Sequence, residues 1–245
     1  MPVVSTHLRD TAESRRFPVL FHLLGCVPYD RCAALQQKLV AAAQSSQSPA
    51  TIVLLAEHPP EITVGRRGSR RHIRLPASDL ASRGLLLRWA ARGGGCVLHA
   101  PGQLAVYPIV PLAPRGWSLA DFRRRLRQAL VGTLEGCGYT VDTTLPGAGV
   151  WGRSGALAVS GIGEAAGVTH HGAWINVHPD RAEYGRIDVV PPDRVAPQVR
   201  TTMSSLQAEH RRPVRMTTVR AAVVEHLATA LDCPAPHLST GHPLL

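Results

Sequence analysis

Lysine is almost missing from this chain of 245 residues: Lys38 stands alone, and arginine supplies nearly all of the basic charge. Aromatic residues make up only 4% of the chain, so aliphatic side chains and alanine must fill most of an interior. No stretch approaches the roughly 20 apolar residues that a membrane helix needs, which argues against a membrane protein. The opening MPVVSTHLRDTAESRR has no apolar run and carries acidic residues, so it reads as neither signal peptide nor anchor. A soluble cytoplasmic protein is the expectation. The five cysteines (Cys26, Cys32, Cys96, Cys137 and Cys233) are odd in number and scattered, with no CxxC pair. That excludes a regular disulfide framework and gives no zinc pattern, so no metal is expected. Internal repeats and low-complexity linkers are absent as well.

What is present is an ordinary globular composition, 44% hydrophobic and 18% charged, with a formal charge of +10 at pH 7. Arginine-heavy usage has a bland origin in GC-rich coding, and a functional one in the long-range attraction of an acidic partner. Nucleic acid is not the expected partner, because no finger motif or basic stripe with interleaved aromatics occurs.

Periodicity gives the elements. Tyr29 to Ala43 has helical spacing, with Leu35 and Leu39 on one face. TIVLLAE, Thr51 to Glu57, reads as a buried strand stopped by Pro59 and Pro60, and EITVG follows as a second. Leu85 to Gly95 reads as a strand entering a glycine turn. Gln103 to Val110 is a further strand, in which Pro108 suggests a sheet edge or a bulge. Ser118 to Gly136 is the clearest helix, with Ser118 as cap, Asp121 near the start and Gly136 or Gly138 at the end. Its Arg123, Arg124, Arg125 and Arg127 read as a solvated outer face. GVW, ALAVSGIG and VTHHGAWINV are strand-like, a last helix starts after Pro213, and Asp188 to Thr201 is a Pro-rich loop. Helices and hairpin-like strand pairs alternate irregularly. The expected fold class is α+β, a single domain whose mixed β-sheet is flanked by helices. The domain is placed at 17–235, with tails at 1–16 and 236–245.

The most informative string is ARGGGCVLHAPGQLAVYPI, Ala91 to Ile109. Three glycines after a strand let backbone approach a ligand, and His99 and the PGQ turn follow at once. This string resembles the RGG…HGPGQ signature of octanoyltransferases. The likeness extends through Tyr29 and Gln36; through Glu57, His58, Pro59, Thr63, Gly65 and Arg66; and through His171, Gly172, Asn176 and Asp180, over roughly residues 20 to 206.

The resemblance implies a fold shared with lipoate and biotin protein ligases, and transfer of octanoyl from octanoyl-acyl carrier protein to a lysine of a lipoyl domain. The acceptor would be a lipoyl domain of 2-oxoacid dehydrogenases or the glycine cleavage H protein, with no cofactor. It also implies a substrate-binding surface made of Arg92, Gly93, Gly94, Gly95, Cys96, Val97, Leu98 and His99, then Val159, Ser160 and Gly161, then Gly172, Ala173 and Trp174. Glycine-turn amides would hold a thioester carbonyl, and Val97, Leu98 and Val159 would flank the acyl chain.

The family's chemistry needs a cysteine nucleophile and a lysine that favours its thiolate. The positions implied for them hold Val190 and Ala156, and Ala100 replaces a glycine inside HAPGQ. Three readings stay open. One is a relative that binds acyl group, carrier protein or lipoyl domain without turnover. Another is transfer by a different route, either through Cys96 with His99 or by direct attack of the substrate lysine. The third, a nucleotide-using ligase, is disfavoured because the related ligases also use the missing lysine.

Overall fold

The computed structural model describes residues 18–47, 49–142, 149–179, 182–191, 195, 199–233 and 235–244. Asp180, the residues before 18 and parts of the 188–201 loop fall outside them.

Two sheets organise these residues. The larger has seven strands in the order β10-β1-β2-β6-β9-β8-β7. They are β1 (Val19–Cys26), β2 (Thr51–Glu57), β6 (Gln103–Ile109), β7 (Gly149–Gly152), β8 (Gly155–Ala165), β9 (Val168–Asn176) and β10 (His237–Thr240). β1 runs parallel to β2 and β10, and the remaining pairs are antiparallel, so the sheet is mixed. The smaller sheet, β4-β3-β5, holds β3 (Glu61–Val64), β4 (Leu86–Trp89) and β5 (Cys96–His99). Among the described residues five α-helices accompany them: α1 (Tyr29–Ser45), α2 (Ala77–Ser82), α3 (Leu119–Gly136), α4 (Leu206–His210) and α5 (Met216–Ala230). Among the described residues no helix is long and apolar enough to cross a membrane.

Strand alternation divides the interior into two cores across the large sheet. On β6, Leu104 and Val106 join Phe122, Leu126 and Leu130 of α3 and Val219, Val223 and Leu227 of α5. Ala105 and Tyr107 face the other way, with Leu35 and Leu39 of α1 and with Ile62, Val64, Val97 and Leu98 of the small sheet. Trp174 of β9 takes this second side, while its neighbours Ala173 and Ile175 take the helix side. The expected α+β fold is borne out.

Local expectations fare unevenly. α3 begins where its cap was read: the Ser118 hydroxyl accepts from Asp121 N at 3.1 Å, and the Asp121 carboxylate accepts from Ser118 N at 3.1 Å. Arg125, however, does not belong to a solvated face. Its guanidinium lies 4.2 Å from the Trp117 ring centroid and donates to the Ala230 carbonyl at 2.9 Å, tying α3 to the end of α5. Pro108 is not at an edge. It pairs with Val53 inside a strand flanked on both sides, and β6–β9 pairing lapses after Val106↔Ala173, where the missing N–H costs nothing. Finally, residues read as a C-terminal tail supply β10, which pairs with Leu20 to Leu23 of β1.

Candidate functional site

β4 ends beside the glycine turn, and β5 leaves it. Gly94 holds φ +78°, a left-handed value that glycine adopts without a Cβ penalty. The turn is pressed onto β8. Gly93 N donates to the Ile162 carbonyl at 2.9 Å, and a Cβ on Gly161 would stand 2.6 Å from the Gly93 carbonyl oxygen. The Gly93 amide is therefore committed to β8 and is not available to a thioester carbonyl.

Arg92 is the hub beneath the turn. Its side chain is fully buried, 4.7 Å from the Trp174 ring centroid, with no carboxylate within ion-pair distance among the described residues. One guanidinium nitrogen donates to the Gly93 and Gly95 carbonyls at 3.0 and 3.2 Å; the other donates to the Thr63 carbonyl and hydroxyl at 3.0 and 2.6 Å. Its Nε has no partner. Carbonyl dipoles and an aromatic face, not a counter-ion, hold this cation in the core.

From Arg92 the hydrogen bonds run in one direction. The Thr63 hydroxyl, accepting from Arg92, donates to His99 Nε2 at 2.8 Å, and His99 Nδ1 donates to Gln103 Oε1 at 2.9 Å. Gln103 Nε2 donates to Asn176 Oδ1 at 2.9 Å, and Asn176 Nδ2 donates to the Ala156 carbonyl at 3.1 Å. These partners assign one His99 tautomer and use both ring nitrogens. A parallel chain passes from Trp174 Nε1 to the Tyr107 hydroxyl (3.0 Å), on to His58 Nε2 (2.7 Å), and from His58 Nδ1 to the Val27 carbonyl (2.6 Å). Tyr29 lies among His58, His99 and His171, with ring centroids 5.3 to 6.1 Å away.

Burial sets the protonation of this cluster. Desolvation lowers His58 to about 4, and lowers His171 to about 3 with help from His170, Arg92 and Arg66. It pushes His99 well below the ordinary histidine value, followed by the charges on His58 and Arg92. Both ring nitrogens of His58 and of His99 are engaged in hydrogen bonds, and burial favours the neutral form of all three imidazoles.

Cys96 and His99 do not meet as nucleophile and base. They lie three residues apart on β5, so their side chains take opposite faces of the small sheet. The Cys96 thiol donates to the Ser69 carbonyl at 3.4 Å, and burial raises its pKa against the lowering effect of that bond and of Arg92. Cys32, also in this core, is pushed up to about 12 by burial.

The other residues implied by sequence do converge. Val159, Ser160 and Gly161 of β8 stand opposite Trp174, Ala173 and Gly172 of β9 as consecutive cross-strand pairs, with the glycine turn against Gly161. Ala173, though, sends its side chain into the helix-side core. Val97, Leu98 and Val159 are packed in the opposite core.

The positions implied for nucleophile and lysine are well defined. Ala156, fully buried, donates to the Thr202 carbonyl at 3.0 Å and accepts from Ser204 N at 2.9 Å. Ile187 bridges to Ile73 and Asp188 to Thr202, and a Cβ on Gly95 would collide with the Val189 carbonyl. That contact sets Val190, half-buried against the same core, next in chain to the residue under the glycine turn. Sequence reasoning missed Tyr184, whose hydroxyl accepts from Gln103 at 3.1 Å, and Met203, whose sulfur accepts from Leu98 N at 3.4 Å; neither sits in a motif.

A family model described as "Lipoyl protein ligase A/B catalytic domain" matches residues 28–228. A protein of Roseiflexus sp. (strain RS-1) named "Octanoyltransferase" is 35% identical over 227 residues, spanning 91% of this chain and 91% of that protein. One of the same name from Geobacter metallireducens is 34% identical over 220 residues, 90% and 97% of the two chains. Among solved structures, a bipartite lipoate protein ligase from Thermoplasma acidophilum superposes with TM-score 0.68 at 17% identity, covering 93% of this chain and 89% of that one. A lipoate-protein ligase A bound with ATP gives TM-score 0.67 at 16% identity, covering 94% and 90%. At such identities these two structures establish the shared fold.

Proposed function

Because the chain belongs to the lipoyl protein ligase A/B catalytic-domain family, with relatives named octanoyltransferase along most of its length, we propose that it acts at the octanoyl-transfer step of protein lipoylation as a binding member that forms no acyl-enzyme. In this reading it engages octanoyl-acyl carrier protein, or the lipoyl domain of a 2-oxoacid dehydrogenase or glycine cleavage H protein, without passing the acyl group through a cysteine. The observation that carries it is the pair Ala156 and Val190 beside the glycine turn that gathers Arg92, His99 and Gln103. Neither side chain can attack a thioester or move a proton, and no thiol stands in for them: Cys96 faces away from His99 and both His99 nitrogens are taken.

A second reading has a specific support, the 34–35% identity to proteins named octanoyltransferase. There the substrate lysine amine attacks the carrier-bound thioester carbonyl directly. A C–N bond forms, the C–S bond to the carrier's thiol breaks, and the amine proton leaves to solvent. Holding two partners in register can lower a barrier by roughly 7–11 kcal/mol at best. The ring nitrogens of His58 and His99 are all committed to hydrogen bonds, so neither is free to act as the base for that step.

Purified protein, octanoyl carrier protein and an apo lipoyl domain separate the readings by intact mass. The binding reading predicts carrier or lipoyl-domain complexes without octanoylated lipoyl domain, and complexes that weaken as ionic strength rises, given the +10 charge. Octanoylated product that persists in Cys96→Ala would establish direct transfer instead, and product abolished by that change would restore a cysteine route.

A further inference from the structure

An open cavity of about 650 Å³ lies where the β7–β8 turn meets the end of α4, lined by Arg153, Ser154, Glu209, His210, Arg211 and Arg212 among others. Its size suits a small ligand or an extended arm more than a flat protein face.

The charges in it are unbalanced. Glu209 has a side chain only 4% exposed, and it is spent on the turn: its carboxylate accepts from Arg153 N at 2.9 Å, from Ser154 N at 2.8 Å and from the Ser154 hydroxyl. Burial pushes its pKa up, but the bonds from Ser154 and Arg153 outweigh that and hold the carboxyl below its usual range. One ionised carboxylate therefore faces three guanidiniums. Arg153 reaches it at 3.5 Å with a side chain 88% exposed; Arg211 and Arg212 have no carboxylate within ion-pair distance among the described residues.

The wall is fixed where these arginines project. His210 stacks on Tyr139 at 4.2 Å between centroids, and Arg211 takes a left-handed φ of +52° that turns the chain out of α4. Arg212 lies over the Gly138–Tyr139 corner, its Nη2 3.7 Å from where a Gly138 Cβ would stand. Ser154 is itself anchored by Ser204 at 2.7 Å, so the turn carrying Arg153 is held from two sides.

We propose that this cavity binds a phosphate group. Guanidinium forks donate in pairs to tetrahedral oxyanions, and a net excess of two positive charges in a concave, rigid wall accommodates a phosphate group carrying one or two negative charges. The phosphate would come either from a free nucleotide or inorganic phosphate, or from the phosphodiester of a carrier protein's prosthetic arm. The site is separate from the glycine turn and does not depend on whether acyl transfer occurs.

The test measures binding of inorganic phosphate, ATP, and carrier protein with and without its phosphopantetheine arm, by calorimetry at fixed ionic strength. Arg211→Gln with Arg212→Gln, both exposed changes, is expected to weaken the bound probe at least tenfold. Arg31→Ala with Arg123→Ala removes the same charge elsewhere and is expected to leave affinity within twofold. Preference for the armed over the armless carrier assigns the phosphodiester; binding of ATP or phosphate without that preference assigns the free ligand. Equal losses in the two double variants, or no probe bound at millimolar concentration, would overturn the proposal.

Discussion

Stability is expected to fall steeply as pH drops from 6.5 toward 4. His58 goes from 6.5 unfolded to about 4 folded, and His171 to about 3. For a histidine whose folded pKa is lowered, the unfolded chain binds the proton first. Stability is thus fully present above pH 6.5 and drains away as pH falls between the two values. At pH 5 each of the two removes about 2 kcal/mol, and His99 adds in the same direction. For a chain of this size the sum corresponds to a fall in Tm of roughly 10 °C or more. Depressed carboxylates act lower: Asp121 and Glu209 begin to lose their contribution only below their ordinary values of 3.8 and 4.5. The window from pH 6.5 to 5 therefore reports the imidazoles. His58→Gln keeps a donor for the Val27 carbonyl and an acceptor for the Tyr107 hydroxyl, so it should flatten that slope by about one proton. Chemical unfolding at pH 7, 6 and 5 measures this; equal stability across the three would refute neutral, locked histidines.

Val190→Cys is expected to turn a protein that takes up no acyl group into one that does. The Val189 carbonyl lies against Gly95, so a thiol at 190 would stand at the edge of the glycine turn. Its sulfur would attack the carrier thioester carbonyl, and the carrier's own thiol would leave and take a proton. Buried Ala156 supplies no cation to favour the thiolate. Adduct formation should therefore accelerate with pH up to the ordinary thiol range near about 8.5, with no plateau at neutrality. Intact mass after timed incubation reads both features. An unmodified Val190→Cys protein at every pH would separate position 190 from the acyl site.

Much of this was visible in the residues. Helical spacing located α1, α3 and α5, β-branched runs located β2 and β3, and the GGG-to-PGQ string pointed to the turn that gathers Arg92, His99 and Gln103. What escaped was decided by distant partners. CVLH is four residues between a glycine turn and a PG turn, too short for an alternating pattern, and without recognising it as a strand nothing says that Cys96 and His99 diverge. HLST has no apolar alternation and becomes β10 only because β1 offers an open edge. Arg125 reads like its three arginine neighbours until Trp117 and the Ala230 carbonyl claim it. Burial of Arg92 without a carboxylate follows from carbonyls contributed by Thr63, Gly93 and Gly95, a convergence that no linear pattern encodes.

The most direct measurement is intact mass of the unmodified protein, incubated with octanoyl carrier protein and then peptide-mapped. With valine and alanine at the two implied positions and every nearby thiol turned away or held protonated, no octanoyl thioester should form on any residue. A stoichiometric, hydroxylamine-sensitive octanoyl group on Cys96, Cys32 or any other cysteine would contradict that account outright.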